Sequence, residues 1–295
     1  MSSPILSVTN FSKSYADAKV LDSLNFEINQ GDIVALLGRN GAGKSTLLES
    51  IMNLRNGDQG QVLLWGNKWD NLSQAQREKI SFVAQETAGF EWMKVDDFLT
   101  YLGGFFPSWD ANYCQKLVHK WNLDPKQRVG DLSGGQSQIL HVIQALSVKP
   151  DLMILDEPVA HLDPNIRRQF LGELVELTCE IGSTVIFSSH IVSDLERVAN
   201  KVALLMNGEI QHYYDVEELK ASIAHVKIST EAPLQQTEEF SSLINWTPIA
   251  GGATATIATP MKQTLDEFKN NHSAHIEIIP MSLEDWYLEV CHATD

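Results

Sequence analysis

A glycine-rich turn between a strand-like run and a helix-like segment constrains this chain more than any other feature. The apolar run 33–37 leads into Gly38, and the sequence then reads RNGAGKST up to Thr46, where an amphipathic stretch begins. Such a turn lets backbone N–H groups converge on one point at a helix N-terminus, which carries partial positive charge. The full spacing, placed between a strand and a helix, predicts a phosphate-binding loop for a Mg-nucleotide.

Individual residues of this loop have separate expected roles. Lys44 is expected to reach the β- and γ-phosphates, and the hydroxyl of Ser45 is expected to contact Mg²⁺. A glycine turn beside a solvated lysine is the alternative, and the complete motif argues against it. The other expected phosphate contacts come from Gly38, Asn40, Gly41, Ala42, Gly43 and Thr46.

A second motif places two carboxylates after an apolar run. Residues 152–155 read LMIL, and Asp156, Glu157 and a proline follow. In a sheet of parallel strands, the end of this strand would lie beside the phosphate loop. Asp156 is then predicted to hold Mg²⁺, and Glu157 to orient or deprotonate the attacking water. Without the phosphate loop, two such acids would be as consistent with a solvated turn.

The hydrophobic pattern predicts an α/β domain followed by a smaller one. Short apolar runs alternate with amphipathic stretches, which is typical of helices packed on a largely parallel sheet. The predicted first domain covers residues 1–222, with a helical subdomain at about 88–150, and the second, α+β domain covers residues 223–295. The predicted buried strands are 34–37, 152–155 and 184–187, with an antiparallel layer from 5–8 and 24–28 and a capped terminal helix at 282–290.

Composition excludes several classes of protein. The 295 residues carry a net charge of −16, which gives no electrostatic basis for binding nucleic acid. No apolar run approaches the roughly 18 to 20 residues that cross a bilayer, and the N-terminus does not resemble a signal peptide, so we expect a cytoplasmic protein. Cys114, Cys179 and Cys291 show no CxxC spacing and are interpreted as packing residues in a reducing compartment.

A third motif identifies the family that the chain resembles. Residues 132–136 read LSGGQ, and the apolar periodicity after them predicts a helix that Ser133 caps, with first-turn amides suited to an anion. With the three motifs in this order, the chain resembles the ATP-binding subunits of ABC transporters. The resemblance implies an ABC-type P-loop ATPase fold, with a mixed sheet, an antiparallel β layer and a helical subdomain. It also implies hydrolysis of ATP with Mg²⁺.

The resemblance assigns further residues to the site. Tyr15 would stack on adenine, Gln85 would touch Mg²⁺ and the attacking water, and His190 would contact the γ-phosphate. Asp163 would lie in a loop that crosses the interface of an ATPase dimer. The residues that would close on the nucleotide of a second subunit are Ser133, Gly134, Gly135 and Gln136.

Some positions depart from the family pattern. Val159 stands where the family usually has Thr or Ser, and His161 stands where Gly or Ala is usual. The helix after the signature also lacks the arginines commonly found there. We therefore expect the interface loop of this chain to close differently from that of a typical member.

The resemblance also implies partners that the chain would need. The chain would form a homodimer, or a heterodimer with a related ATPase subunit, and would drive a separate membrane permease at the cytoplasmic face of the cell membrane. Aromatic residues after Gln85 suit a groove for that permease, although packing in the core of the helical subdomain is the favoured explanation for any one of them. Short segments at 105–110 and 282–288 look like those of bacterial ATPases that serve exporters, so export is the expected direction. The chain itself would not touch the transported substrate.

Two other functions remain open from sequence alone. A soluble ABC ATPase acting on ribosomes or DNA usually carries tandem ATPase domains or a long coiled coil, and this sequence has one phosphate loop and no heptad run between Lys44 and Ser133. A subunit that binds ATP but only regulates is the second alternative. The presence of Glu157 and His190 argues against it, while the departures at positions 159 and 161 keep it open.

Overall fold

The computed structural model divides the chain into two compact units, Met1–Tyr213 and Tyr214–Asp295. The boundary predicted from sequence, after residue 222, falls slightly later along the chain. The residues that the structure describes are 4–16, 18–85, 89–160, 162–189, 191–230, 243–258, 262–272, 274–279 and 281–292.

The first unit alternates strands and helices. Its strands are Leu6–Tyr15 (β1), Ala18–Ile28 (β2), Ile33–Leu37 (β3), Gln59–Leu64 (β4), Ile80–Val83 (β5), Leu152–Leu155 (β6), Thr184–Ser188 (β7), Lys201–Met206 (β8) and Glu209–Asp215 (β9). Its helices are Lys44–Ile51 (α1), Gln74–Arg77 (α2), Val95–Gly103 (α3), Ala111–Lys120 (α4), Gly134–Ser147 (α5), Pro164–Ile181 (α6) and Val192–Leu195 (α7).

A six-stranded sheet forms the centre of this unit, with the order β5-β6-β7-β3-β8-β9. The pairs β5–β6, β6–β7, β7–β3 and β3–β8 are parallel. Every residue of β3, β6 and β7 is buried, which explains why these strands read as continuous apolar runs rather than alternating ones. Because β6, β7 and β3 are neighbours, their carboxyl ends meet at one edge of the sheet.

The antiparallel layer predicted from sequence is present as a three-stranded sheet with the order β2-β1-β4. Its strands are longer than predicted, and β1 extends to Tyr15. Side chains of this layer and of the central sheet bury one shared apolar core, to which α1 contributes Leu47, Leu48 and Ile51. The phosphate loop and the helix after it are therefore anchored from both layers.

Helices α3, α4 and α5 occupy the region predicted as a helical subdomain. Cys114 of α4 is buried among them. The buried carboxylate of Glu173 on α6 accepts a hydrogen bond from Tyr113 at 2.5 Å and pairs with Lys120, so α4 is joined to α6 by polar contacts. The interpretation of all three cysteines as packing residues is wrong for Cys179, which is exposed on α6.

The second unit contains a four-stranded antiparallel sheet. Its strands are Ile223–Ser229 (β10), Leu243–Ile249 (β11), Gly252–Ala258 (β12) and His275–Ile279 (β13), in the order β11-β12-β10-β13. Its helices are Val216–Ser222 (α8), Lys262–His272 (α9) and Leu283–His292 (α10). Phe268 of α9 is buried in the small core with Val226 and Ile228 of β10.

The terminal helix begins as the sequence predicts. The Ser282 hydroxyl accepts the N–H of Asp285 at 3.1 Å, and the Asp285 carboxylate accepts the Ser282 N–H in return at 3.2 Å. Trp286 of α10 is buried, and Glu289 accepts a hydrogen bond from Asn245 of β11. Of the helices within the described ranges, none combines the length and the apolarity that crossing a membrane requires.

Candidate nucleotide-binding site

The glycine-rich turn follows β3 and ends where α1 begins at Lys44, as predicted. Gly43 caps the helix with φ of 101°, a conformation that favours glycine. A Cβ at Gly43 would lie 2.9 Å from the Leu21 side chain and 3.1 Å from the Val20 carbonyl oxygen, so a larger residue would be strained there. The turn therefore brings the backbone of the loop close to the start of α1.

Lys44 is the buried cation of this site, with 7% of its surface exposed. Its Nζ donates to the carbonyl oxygen of Gly38 at 2.8 Å and lies 3.4 Å from that of Arg39. Burial lowers the pKa of the Lys44 ammonium, and the negative charges of Glu157 and Asp156 partly oppose that shift. The loop thus holds a positive charge where phosphate oxygens would compete for it.

The two carboxylates follow β6 at the same edge of the sheet. Asp156 and Glu157 are 3% and 8% exposed, so neither belongs to a solvated turn. The Asp156 N–H donates to the carbonyl oxygen of Val83, which continues the pairing of β6 with β5. Glu157 adopts φ of 50°, a left-handed conformation that is uncommon for a residue other than glycine.

Sequence reasoning missed a residue that contacts both acids. Ser188, the last residue of β7, is fully buried, and its hydroxyl donates to Oδ1 of Asp156 at 2.6 Å. The same Oγ accepts the backbone N–H of Glu157 at 2.9 Å. The available signal was a polar side chain at the end of an apolar strand that neighbours β6 in the sheet.

One open cavity of about 370 Å³ collects most of the predicted residues. It also includes Val20 of β2, an apolar residue that the sequence reasoning did not select. Gln85, exposed just after β5, faces the same cavity as the phosphate loop and the two acids. The lining consists of Val20, Asn40, Gly41, Gly43, Lys44, Ser45, Thr46, Gln85, Asp156 and Glu157.

The donor atoms around this cavity suit Mg²⁺. Ser45, Gln85 and Asp156 offer hydroxyl, amide and carboxylate oxygens, the hard ligands that Mg²⁺ prefers. Across the described part of the chain, no three His, Cys, Asp or Glu residues come together as a metal site. Mg²⁺ in nucleotide sites is usually held by one or two protein groups together with substrate phosphates.

Other predicted residues lie elsewhere on the first unit. Tyr15 ends β1 with 40% of its surface exposed and is not among the residues that line the cavity. Lys13 and Arg55 place cationic groups 5.4 and 6.0 Å from the centre of its ring. His190 and His161 fall outside the described residues, so the predicted γ-phosphate contact and the effect of His161 stay predictions.

The signature residues lie at a helix N-terminus, away from the cavity lining. The exposed Ser133 caps α5 in a capping box, in which its hydroxyl accepts the N–H of Gln136 and Gln136 accepts the N–H of Ser133. Asp163 caps α6 by accepting the N–H groups of Asn165 and Ile166. The cap at Ser133, followed by Gly134 and the half-buried Gly135 in the first turn, is as predicted from sequence, whereas the predicted role of Asp163 at a dimer interface stays a prediction.

Comparison with known proteins identifies the family. The model of the family described as ABC transporter matches residues 21–160, which contain the phosphate loop, the signature and both acids. The uncharacterized ABC transporter ATP-binding protein YxlF of Bacillus subtilis is 30% identical over 98% of this chain and 100% of its own length. The chain belongs to the ATP-binding proteins of ABC transporters.

Further similarities agree with this assignment. The probable sulfate/thiosulfate import ATP-binding protein CysA of Chlorella vulgaris is 35% identical, over 72% of this chain and 92% of that protein. The dimeric structure of MJ0796, a bacterial ABC transporter cassette, superimposes with a TM-score of 0.65 at 23% identity, covering 72% of this chain and 98% of that one. The fold is therefore that of ABC ATPases, as predicted.

Proposed function

We propose that this chain binds and hydrolyses ATP as one subunit of an ATPase dimer that drives a separate membrane permease. The observation that carries the proposal is the shared cavity, in which the phosphate loop, Gln85 and the buried pair Asp156 and Glu157 face one another. Family membership supports ATP as the nucleotide, and the dimeric relative MJ0796 supports assembly in pairs.

In the proposed reaction, each group at the cavity has a separate task. Lys44 and the loop N–H groups stabilise the negative charge of the phosphates. Ser45, Gln85 and Asp156 would hold Mg²⁺, which neutralises phosphate charge when bound. Glu157 accepts a proton from the attacking water or orients it, and His190 would contact the γ-phosphate.

Completion of the site by a second copy explains where the signature lies. The exposed Ser133 and Gly134 begin α5, so unpaired N–H groups of its first turn are available to an anion outside this chain. We propose that they meet the γ-phosphate bound by a second subunit, with Asp163 at the interface. The partner would be a second copy or a related ATPase subunit.

An exposed aromatic surface is the proposed contact with the permease. We define it as Phe90, Trp92, Tyr101 and Phe105, with 39, 72, 46 and 58% of their surfaces exposed. Rings of Phe90 and Tyr101 lie 5.6 Å apart, and those of Tyr101 and Phe105 lie 5.2 Å apart. Phe98, by contrast, is buried in the core. Exposed aromatic groups of this kind are typical of interaction sites.

Transport direction and location are finer parts of this proposal. Export follows only from the segments 105–110 and 282–288, and several relatives at 29 to 36% identity are named as import ATP-binding proteins, so they do not support it. The proposed location is the cytoplasmic face of the cell membrane, through the permease. Membrane vesicles in which the ATPase faces outward would accumulate the transported substrate if the permease is an exporter. They would lose it if the permease is an importer.

Capture of the partner tests the proposal. Glu157→Gln is expected to bind ATP but to hydrolyse it at least about 100-fold more slowly, since it loses a positioned base. This variant, incubated with Mg-ATP and detergent-solubilised membranes of the source cells, should retain a stoichiometric multi-helix membrane protein, identified by mass spectrometry. The double variant Lys44→Ala, Glu157→Gln is the control, because its nucleotide binding is expected to be strongly weakened. Ribosomal or only soluble proteins in the captured fraction would contradict the transport proposal.

A further inference from the structure

Ser188 stands out among the buried polar residues because a single hydroxyl contacts both acidic residues of the site. It donates its proton to Asp156 and receives the N–H of Glu157, so both functions of the hydroxyl are used. Its 0% exposure leaves no water to replace these bonds if the hydroxyl is removed. The residue belongs to β7, whereas the two acids follow β6.

The contact with Asp156 fixes a carboxylate. An O–H···O⁻ bond of 2.6 Å is in the range of strong, charge-assisted hydrogen bonds. It engages Oδ1 and so restrains rotation of the carboxyl group about its bond to Cβ. Such partners behind a metal-binding carboxylate set its orientation, and their loss typically costs 10- to 100-fold in metal affinity or activity.

The contact with Glu157 fixes a backbone conformation. A left-handed φ for a residue other than glycine costs on the order of 1–3 kcal/mol and persists only when its surroundings hold it. The Ser188 oxygen holds the Glu157 N–H at 2.9 Å, directly at this residue. The direction in which the Glu157 side chain leaves the backbone depends on this conformation.

We propose that Ser188 is a positioning residue for ATP hydrolysis, which sets the Asp156 carboxylate and the Glu157 backbone together from the neighbouring strand. This inference rests on the proposed function, because it assigns Ser188 a role through two residues of that site. One hydroxyl thereby fixes the position of the residue that would hold Mg²⁺ relative to the residue that would activate water.

A purely structural role for Ser188 makes a different prediction, and the same strand supplies a matched control. Ser183, just before β7, is also fully buried, and its hydroxyl donates to the carbonyl oxygen of Pro150 at 2.5 Å. Ser183→Ala therefore removes a buried serine hydroxyl from the opposite end of the same strand. If the Ser188 hydroxyl only stabilised the packing of the strand, Ser183→Ala and Ser188→Ala should lose the same amount of activity.

The test compares purified wild type, Ser188→Ala and Ser183→Ala. We expect kcat for ATP to fall about 10- to 100-fold in Ser188→Ala, while KM for ATP changes less than about threefold because Lys44 and the loop remain. Ser183→Ala should keep the wild-type kcat. A second readout, independent of turnover, is Mn²⁺ binding in the presence of ADP, measured by electron paramagnetic resonance, which should weaken by a similar factor in Ser188→Ala alone.

Ser188→Cys keeps nearly the same volume with a weaker donor, and should fall between wild type and Ser188→Ala in both readouts. It also gives a result if Ser188→Ala yields little folded protein. Equal kcat and equal Mn²⁺ binding in wild type and both Ser188 variants would overturn the inference and leave the proposed function intact. A wild-type chain that binds Mn-ADP without hydrolysing ATP would contradict the proposed function, and the Mn²⁺ readout would still decide the role of Ser188.

Discussion

The nucleotide end of the central sheet and the aromatic surface of the same unit are built in opposite ways. At the sheet edge, Lys44, Asp156 and Glu157 are buried and held by hydrogen bonds to strands or loops. On the aromatic surface, Trp92 and Phe105 are mostly exposed. Chemistry that needs fixed geometry is thus placed where packing fixes it, and the proposed partner contact is placed where side chains remain accessible.

This difference predicts that the two regions fail differently when altered. A change at the sheet edge should impair the isolated subunit, because we propose that the groups there act on nucleotide directly. A change on the aromatic surface should leave the isolated subunit active and impair only its work with a partner. If a change on the aromatic surface impaired the isolated subunit, the two regions would be more closely coupled than their contacts indicate.

The largest effect is expected from Lys44→Ala. Loss of the buried ammonium removes charge-assisted hydrogen bonds to phosphate worth about 1.5–3 kcal/mol each, so ATP binding should weaken about 100-fold and hydrolysis should disappear. Isothermal titration calorimetry with Mg-ATP measures the affinity, and the thermal unfolding midpoint reports folding. Lys126→Ala, which changes an exposed lysine outside the cavity, is the control. Unchanged affinity in Lys44→Ala would exclude this cavity as the nucleotide site.

A smaller and partner-specific effect is expected from the double variant Trp92→Ala, Phe105→Ala. Aromatic residues within an interface contribute about 1 kcal/mol or more each, about 2 kcal/mol for the pair, so capture of the permease should fall at least about 30-fold. Basal ATP hydrolysis should stay within about twofold of wild type, since neither side chain lines the nucleotide cavity. Leu54→Ala, which changes another exposed apolar residue, serves as the control. Normal capture by the double variant would place the permease contact elsewhere.

The same contrast explains what the sequence could predict. The strands β3, β6 and β7 were found because burial on both faces leaves continuous apolar runs. The phosphate loop and the acids were found because their chemistry requires particular residues at particular spacings. The resulting α/β fold with its antiparallel layer is confirmed.

Other features could not be predicted because they depend on contacts between distant segments. Strand β11 was missed, since its sequence LINWTPI has a proline and no clear alternation of apolar and polar residues. The role of Ser188 depends on β7 lying beside β6, which no local pattern specifies. Exposure separated the aromatic residues into core and surface, whereas sequence left both interpretations open for each of them.

The smallest expected effect concerns pH and a histidine of α5 that lies behind the aromatic surface. His141 lies on α5, the helix that begins at the signature, and its ring centre is 5.8 Å from that of Phe98, which in turn contacts Phe90 of the aromatic surface. Burial lowers the pKa of His141, and the hydrogen bond between its Nδ1 and the Ser137 carbonyl opposes this only in part. The folded chain therefore takes up a proton at this site less readily than the unfolded chain does.

The sign of the resulting pH dependence follows from that difference in proton binding. Above the unfolded pKa of about 6.5, His141 is neutral in both states, and its contribution to stability is fully present. As pH falls below that value the unfolded state binds the proton first, so the free energy of unfolding decreases.

Urea unfolding at pH 7.5 and at pH 5.5 measures this decrease. The free energy of unfolding should fall less between the two pH values in His141→Asn than in wild type. His212→Asn is the variant for comparison with His141→Asn, because burial also lowers the pKa of His212, on β9. If the His141 variant loses as much stability as wild type, protonation at this helix does not weaken the packing behind the aromatic surface, and the acid sensitivity of the chain arises elsewhere.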